Sequence, residues 1–226
     1  MLTVCYREFI HLLKSMKSLL TILIMIGTSY GLASVTEKYF GDLAESFGLN
    51  SLASLMLILI LFGFFFVFST SHNILSREIH SRTARFLVTK VRREEIVIGK
   101  FLGLYLYWTL CILIASLLLY TINKQFVFSD LVELLIFITY PIASCILVSV
   151  LFPRPGYSMF IGFVVSMVLP IISIWALVSS NIFLKGFKYL TPYYYSSEGG
   201  FYTLFILGLS GLILALAVIL FRRKDL

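Results

Sequence analysis

The sequence contains little charge. Asp, Glu, Lys and Arg make up 13% of its 226 residues, whereas hydrophobic residues make up 60% and the mean hydropathy is +1.00. A water-soluble globular domain is excluded, because in such domains about a quarter of the residues are charged. A disordered chain is excluded as well, because a sequence this apolar has ample surface to bury. The main solvent of this chain is therefore lipid.

Residue types that carry chemistry are equally scarce. The three histidines, His11, His72 and His80, form no H-E-x-x-H array, and the three cysteines are far apart without metal-ligand spacing. The sequence has no G-x-x-x-x-G-K-[ST] loop, so it contains no P-loop for ATP. We therefore predict that the chain is not an enzyme and that it holds no catalytic residue, metal or cofactor of its own.

Six segments without charge run for about the 20 residues that a membrane-spanning helix needs. The predicted spans are residues 18–36, 52–71, 101–122, 134–152, 157–180 and 199–221. They predict an all-α membrane protein with six transmembrane helices in one domain, residues 1–226. Pro141 and Pro170 lie inside the fourth and fifth spans, where proline is expected to kink a helix.

Basic residues are divided unequally between the two sides of these spans. With both termini on one side, that side carries about 14 of the 18 Lys and Arg residues, and the other side carries only Lys38, Lys124, Lys185 and Lys188. The positive-inside rule then predicts that both termini are cytoplasmic, in a multi-pass protein of the cell membrane. We predict no nucleic-acid binding, because the basic residues are split among short loops.

The first 17 residues have the spacing of an amphipathic helix. Apolar residues recur at about i, i+3 and i+4 between charged ones, and they are Val4, Phe9, Ile10, Leu12, Leu13 and Met16. We predict an interfacial helix over residues 1–17 in the lipid headgroup region. The alternative is a plain cytosolic extension of the first spanning helix.

Residues 76–100 form the most charged segment, with seven basic and three acidic side chains. Apolar residues such as Ile79 and Val91 are distributed through it, although a solvated loop does not need them. The segment therefore predicts a short helix that docks on a soluble partner. The alternative is a solvated loop whose charges only enforce topology. Glu94 and Glu95 are expected to stabilise the amino end of the third spanning helix.

Residues 78–100 also resemble the signature of ABC-2-type permeases, the membrane subunits of bacterial ABC exporters. That family tends to show Glu, Ser-Gly-Thr, Leu-Leu, Pro-Val-Ser-Arg and then Gly-Lys at the start of the third helix. The matching positions are Glu78, Ser81, Thr83, Leu87, Val91, Arg93, Gly99 and Lys100. Arg82 stands where Gly is usual and Lys90 where Pro is usual. Residues 189–194 and the basic tail 221–225 are similar to two further family segments.

The resemblance implies a type V exporter fold in a bacterial cell membrane. Residues 1–17 would be its elbow helix, 76–100 its cytoplasmic coupling loop and 181–200 an extracellular re-entrant segment. A separate ABC ATPase subunit would hold ATP and Mg²⁺, and the permease would pair as a homodimer or with a related permease. The implied ATPase contacts are Glu78, Thr83, Arg85, Phe86, Leu87 and Arg93, with a second contact at Arg154.

An ATP-driven exporter would carry its substrate between these spans. The spans hold no charged residue but many aromatic and hydroxyl side chains, which are typical of a site for an amphipathic or hydrophobic molecule such as a peptide, a drug or a lipid-like compound. Candidate pathway residues are Phe65, Ser69, Tyr105, Ser166 and Ser173. Two alternatives remain: a membrane substrate-binding subunit of a vitamin importer, and an unpowered channel or scaffold.

Overall fold

A computed structural model describes residues 1–46, 51–81, 91–123, 128–179 and 181–224. Its regular secondary structure is helical in all of these ranges, and none of them contains a strand. The helices are α1 Leu2–Lys14, α2 Met16–Ser46, α3 Ser51–Ser71, α4 Ser76–His80, α5 Arg93–Asn123, α6 Phe128–Phe137, α7 Thr139–Leu151, α8 Pro155–Val178, α9 Ile182–Lys188, α10 Pro192–Glu198 and α11 Leu204–Arg222. A short 3₁₀ turn, Gly200–Thr203, precedes α11.

Six helical stretches in the described ranges are long and apolar enough to cross a membrane, which confirms the predicted number of spans. They are Met16–Thr36, Leu52–His80, Arg93–Thr121, Phe128–Leu151, Pro155–Val178 and Gly200–Arg222. The fourth is 78% buried inside the bundle, whereas the first and last are each 22% buried. The chain is thus a multi-pass helical bundle with α6 and α7 at its centre and α2 and α11 at its edge.

The two prolines inside the spans have different effects on their helices. The fourth span is divided at Ile138, between α6 and α7, one turn before Pro141. Proline lacks an N–H, and its ring clashes with the carbonyl of the residue four positions earlier, here Phe137 at the end of α6. In contrast, α8 continues through Pro170.

The third spanning helix is longer than the sequence pattern predicts. It begins at Arg93 instead of residue 101, so the last eight residues of segment 76–100 are helical. Glu94 and Glu95 lie in its first turn, where carboxylates interact favourably with the helix dipole. Segment 76–100 therefore ends as a rigid extension of α5.

The amino-terminal helix α1 packs closely on α5. It ends at Lys14, and the extended backbone of Ser15 separates it from α2. Its contact is made by Gly99 and Gly103, which lie four residues apart on one face of α5. A Cβ atom at Gly103 would lie 2.9 Å from the carbonyl oxygen of Cys5. Only glycine permits this approach, as in other small-residue contacts between membrane helices.

Candidate functional site at the basic end of the bundle

One end of the bundle collects both chain termini, α1, α4 and the amino end of α5. We call it the basic end. Arg93 at the start of α5 donates to the carbonyl oxygens of Arg222 and Lys224, at 2.7 and 2.9 Å. The α-amino group of Met1 lies 3.3 Å from Glu95 Oε2. These contacts place the amino end of α5 between the two ends of the chain.

A buried lysine lies at the centre of the basic end. Only 1% of the Lys100 side chain is exposed, and its ammonium group donates to Glu8 Oε1 at 2.7 Å and to the Ile74 carbonyl at 2.8 Å. Glu78 Oε1 lies 2.9 Å from the same Nζ atom. The three N–H donors of an ammonium group match these three acceptors. Lys100 on α5 therefore joins α1 and α4 through two carboxylates.

The start of α4 is held by two further helices. Ser149 Oγ of α7 accepts hydrogen bonds from the backbone N–H groups of Leu75 and Ser76, both at 2.9 Å. The Ser158 hydroxyl of α8 donates to the His72 carbonyl at 2.5 Å. N–H groups in the first turn of a helix have no partner within that helix, so Ser149 acts as a cap supplied by another element. Segment 76–100 thus begins on a firmly held turn.

The other end of segment 76–100 is held by the carboxyl terminus of α11. The last carbonyls of a helix lack partners within it, and the Arg93 guanidinium supplies donors to this region. Glu94 forms an ion pair with Arg222, and Lys224 Nζ donates to the Val150 carbonyl at the end of α7. Partial burial lowers the pKa of the Lys224 ammonium. Both ends of the charged segment are therefore attached to the bundle.

Two of the predicted ATPase contacts lie where segment 76–100 is attached to the bundle. Glu78 is half-buried beside Lys100, and Arg93 contacts the end of α11. Arg154 is exposed at the start of α8, with its guanidinium 5.9 Å from the ring centre of Tyr157. The remaining four, Thr83, Arg85, Phe86 and Leu87, lie outside the described residues. Contact with a partner stays a prediction for all seven.

The predicted pathway residues lie on three different helices. Phe65 and Ser69 are one turn apart on α3, and the Phe65 ring meets Phe163 of α8 at 6.1 Å between centroids. Tyr105 lies on α5, where it stacks on Phe101. The structure therefore joins α3 and α8 near Phe65 but records no ring contact from Tyr105 to either helix among the described residues.

Ser166 and Ser173 are buried on one face of α8. Their hydroxyls donate to carbonyls of their own helix, those of Phe163 and Leu169. The same face carries Gly162, where a Cβ atom would lie 2.8 Å from the Phe68 ring of α3. Small residues on this face let α8 approach α3 closely. In the single chain, these two serines therefore lie in a helix contact.

The opposite end of the bundle is rich in tyrosine, and we call it the aromatic end. Tyr140 donates to the Leu190 carbonyl and Tyr193 to the Ile60 carbonyl, both at 2.9 Å. Tyr140 follows the first residue of its span by 12 positions, or about 18 Å of helix. The turn between α9 and α10 is therefore bonded deep within the bundle. Burial raises the pKa of Tyr193.

A glycine pair completes the aromatic end. Gly199 and Gly200 have φ angles of 67° and 58°, a left-handed conformation that favours glycine. The Gly200 N–H donates to Glu133 Oε1 at 3.0 Å, which ties the turn before α11 to α6. Glu133 therefore connects α6 to the turn before α11.

The sequence pattern does not single out Glu8 or Ser149, and it indicates Lys100 only as part of a motif. Glu8 carries a usable signal, because helical spacing places it on the same face as Val4 and Leu12, which are buried. Lys100 is flanked by Gly99 and Gly103, which also indicates close packing. Ser149 has no comparable signal, because one serine in an apolar helix is common.

Comparison with protein-family models gives no match, and comparison with curated proteins gives none either. Within the described ranges, no three His, Cys, Asp or Glu side chains are grouped as a metal site would require. The function is therefore inferred from the geometry of the basic end.

Proposed function

We propose that this chain is the permease subunit of an ATP-driven ABC exporter of the ABC-2 type, with both termini in the cytoplasm of a bacterial cell. ATP hydrolysis takes place in a separate ATPase subunit, which holds ATP and Mg²⁺. The permease works as a homodimer or together with a related permease. Its substrate is an amphipathic or hydrophobic molecule such as a peptide, a drug or a lipid-like compound.

The main support is the way in which segment 76–100 is attached at both ends. Its beginning is bonded to α5 through Lys100 and to α7 through Ser149, and its end continues into α5 and holds α11. A partner that displaces this segment would therefore displace spanning helices. A soluble motor needs such a rigid connection to change the shape of a membrane bundle.

Two further features support the same proposal. Helix α1 is a separate amphipathic helix beside the spans, as expected of an elbow helix. At the aromatic end, the turn around Leu190 is bonded to Tyr140, and irregular backbone at such depth is tolerated only where protein surrounds it. This arrangement agrees with a re-entrant segment over residues 181–200.

The test is affinity isolation of the tagged chain from its native membrane in mild detergent, followed by mass spectrometry. The expected result is a P-loop ATPase in about equal amount. Recovery of the chain alone would favour an unpowered channel or scaffold. Tight binding of a small ligand without any ATPase would favour a vitamin-importer subunit.

Two single-residue variants test whether segment 76–100 contacts the ATPase subunit. Phe86→Asp is expected to abolish recovery of the ATPase while leaving membrane insertion intact, because a charge disrupts an apolar docking face. Phe201→Asp is the matched control, since Phe201 is 88% exposed at the aromatic end. Equal recovery with both variants would contradict a coupling role for segment 76–100.

A further inference from the structure

The carboxylates that the structure describes at the basic end all have cationic partners within the chain. Glu8 and Glu78 bind Lys100, with Glu78 also 3.9 Å from Arg7. Glu94 pairs with Arg222, and Glu95 with the amino group of Met1. These four are the acidic residues that the described part of the chain places at this end. Glu8 and Glu78 are largely buried, and the charges of the more exposed Glu94 and Glu95 are balanced by their partners.

The arginines of the same end are not balanced in this way. Arg77, Arg92 and Arg223 are exposed, and among the side chains that the structure describes no carboxylate lies within 4.0 Å of their guanidinium groups. We call these three the arginine face. Arg93 binds the carbonyls on both sides of Arg223, so the backbone at Arg92 lies close to the end of α11 that carries Arg223. The outward charge of the basic end is therefore positive.

The position of Arg92 favours a soluble partner over the membrane surface. The charge-free part of α5 begins directly after Lys100, eight residues beyond Arg92. Eight helical residues correspond to about 12 Å along the axis. A headgroup layer adds only about 5 to 8 Å to each side of the hydrocarbon core. We therefore expect Arg92 to lie past the lipid headgroups, in water.

We propose that the arginine face docks on an acidic surface of the ATPase subunit. This inference rests on the proposed function and adds the chemistry of the interface. Opposite charges across an interface accelerate association and select the correct partner. Because the described carboxylates at this end are already paired with cations of the same chain, the partner is the source of the complementary negative charge. The sequence of residues 82–90 adds Arg82, Arg85 and Lys90 and no acid.

The experiment measures association of the co-purified ATPase with the full chain in nanodiscs of uncharged lipid. Rates are compared at about 0.01 M and about 1 M ionic strength, where the screening length is about 30 Å and about 3 Å. The double variant Arg92→Glu, Arg223→Glu is expected to associate about tenfold more slowly at low salt. It should also lose the acceleration that low salt gives to the unmodified chain.

Three controls separate this contact from other effects of charge. Arg92→Gln with Arg223→Gln should give an intermediate rate and keeps the proposal testable if charge reversal disturbs folding. Lys185→Glu with Lys188→Glu makes the same change in net charge at the aromatic end and should leave the rate unchanged. Lys14→Glu with Lys17→Glu changes exposed cations close to the membrane and should also have little effect.

The outcomes distinguish this inference from the proposed function. If the unmodified chain recovers an ATPase but both Arg92/Arg223 double variants associate at the unmodified rate, the arginine face is overturned and the exporter proposal stands. An equal slowing by the Lys14 and Lys17 variant would also overturn it, because charge near the membrane would then be responsible. If the unmodified chain recovers no ATPase, the proposed function itself fails.

Discussion

At the basic end an ammonium group with 1% of its side chain exposed binds two carboxylates, whereas at the aromatic end tyrosine hydroxyls donate to main-chain carbonyls. Both arrangements connect helices that are distant in the sequence. They differ in the charge left behind when one partner is removed. Loss of Lys100 leaves two partly buried carboxylates, but loss of a tyrosine hydroxyl leaves only a neutral carbonyl.

This difference affects how each end can respond to a partner. A buried ion cluster is stable only while all of its members are present, because an uncompensated buried charge is costly. A change in the position of Glu78 therefore alters the electrostatic interactions of Lys100 and Glu8. The neutral hydrogen bonds of the aromatic end are individually weaker. We expect the basic end to act as a unit and the aromatic end to tolerate single losses.

The largest effect is predicted for Lys100→Met. Removing the cation leaves Glu8 and Glu78 unpaired, which is expected to lower the free energy of unfolding by about 3 to 5 kcal/mol. The measurement is unfolding in mixed detergent micelles, combined with the rate of maleimide labelling at Cys5. Cys5 is buried on the face of α1 that packs against α5, and burial raises the pKa of its thiol, so labelling should accelerate when α1 detaches.

Two further variants sharpen this prediction. Combining Lys100→Met with Glu8→Gln and Glu78→Gln should recover most of the lost stability, because no buried charge then remains. Glu94→Gln removes an ion pair whose side chains are 43% and 55% exposed, and it should cost about 1 kcal/mol at most. A triple variant no more stable than Lys100→Met alone would show that packing, and not charge, dominates the cluster.

An intermediate effect is predicted for Gly103→Ala. The added methyl group would lie 2.9 Å from the Cys5 carbonyl, so α1 has to move away from α5. Overpacking of this kind typically costs about 1 to 3 kcal/mol. Cys5 labelling should accelerate here as well, although the charges of the Lys100 cluster are unchanged. Gly208→Ala is the control, because a Cβ atom there has no neighbour within 4 Å, and a stability loss equal to that of Gly103→Ala would contradict the close approach of α1.

The smallest effect is predicted at the aromatic end for Tyr193→Phe. The variant keeps the ring contacts with Phe64 and Phe137 but loses the hydrogen bond to the Ile60 carbonyl. The expected loss is about 1 kcal/mol. Cys5 labelling should stay unchanged, because the two ends are independent. Tyr202→Phe, at an exposed position, should leave stability unaltered, and accelerated Cys5 labelling in Tyr193→Phe would refute the independence of the two ends.

The sequence predicted the parts of this fold that depend on local pattern. Six apolar segments predicted six spans, because the hydrocarbon core has a fixed thickness and a helix has a fixed rise. Spacing in the first 17 residues predicted the amphipathic helix α1. The start of α5 was predicted eight residues too late, because charged residues were taken as the limit of the helix, although they form its first turns.

The candidate site depends on contacts between residues far apart in the chain. Lys100 meets a carboxylate 92 positions earlier, and Ser149 caps a turn more than 70 positions earlier. Helical periodicity reports which face of one helix is apolar, but it does not report which helix that face meets. Composition and periodicity by themselves determined the helical class of this protein and the number of helical stretches that can span a membrane. Tertiary packing alone decided that the described carboxylates of the basic end are paired with cations of the same chain and that the arginine face is exposed.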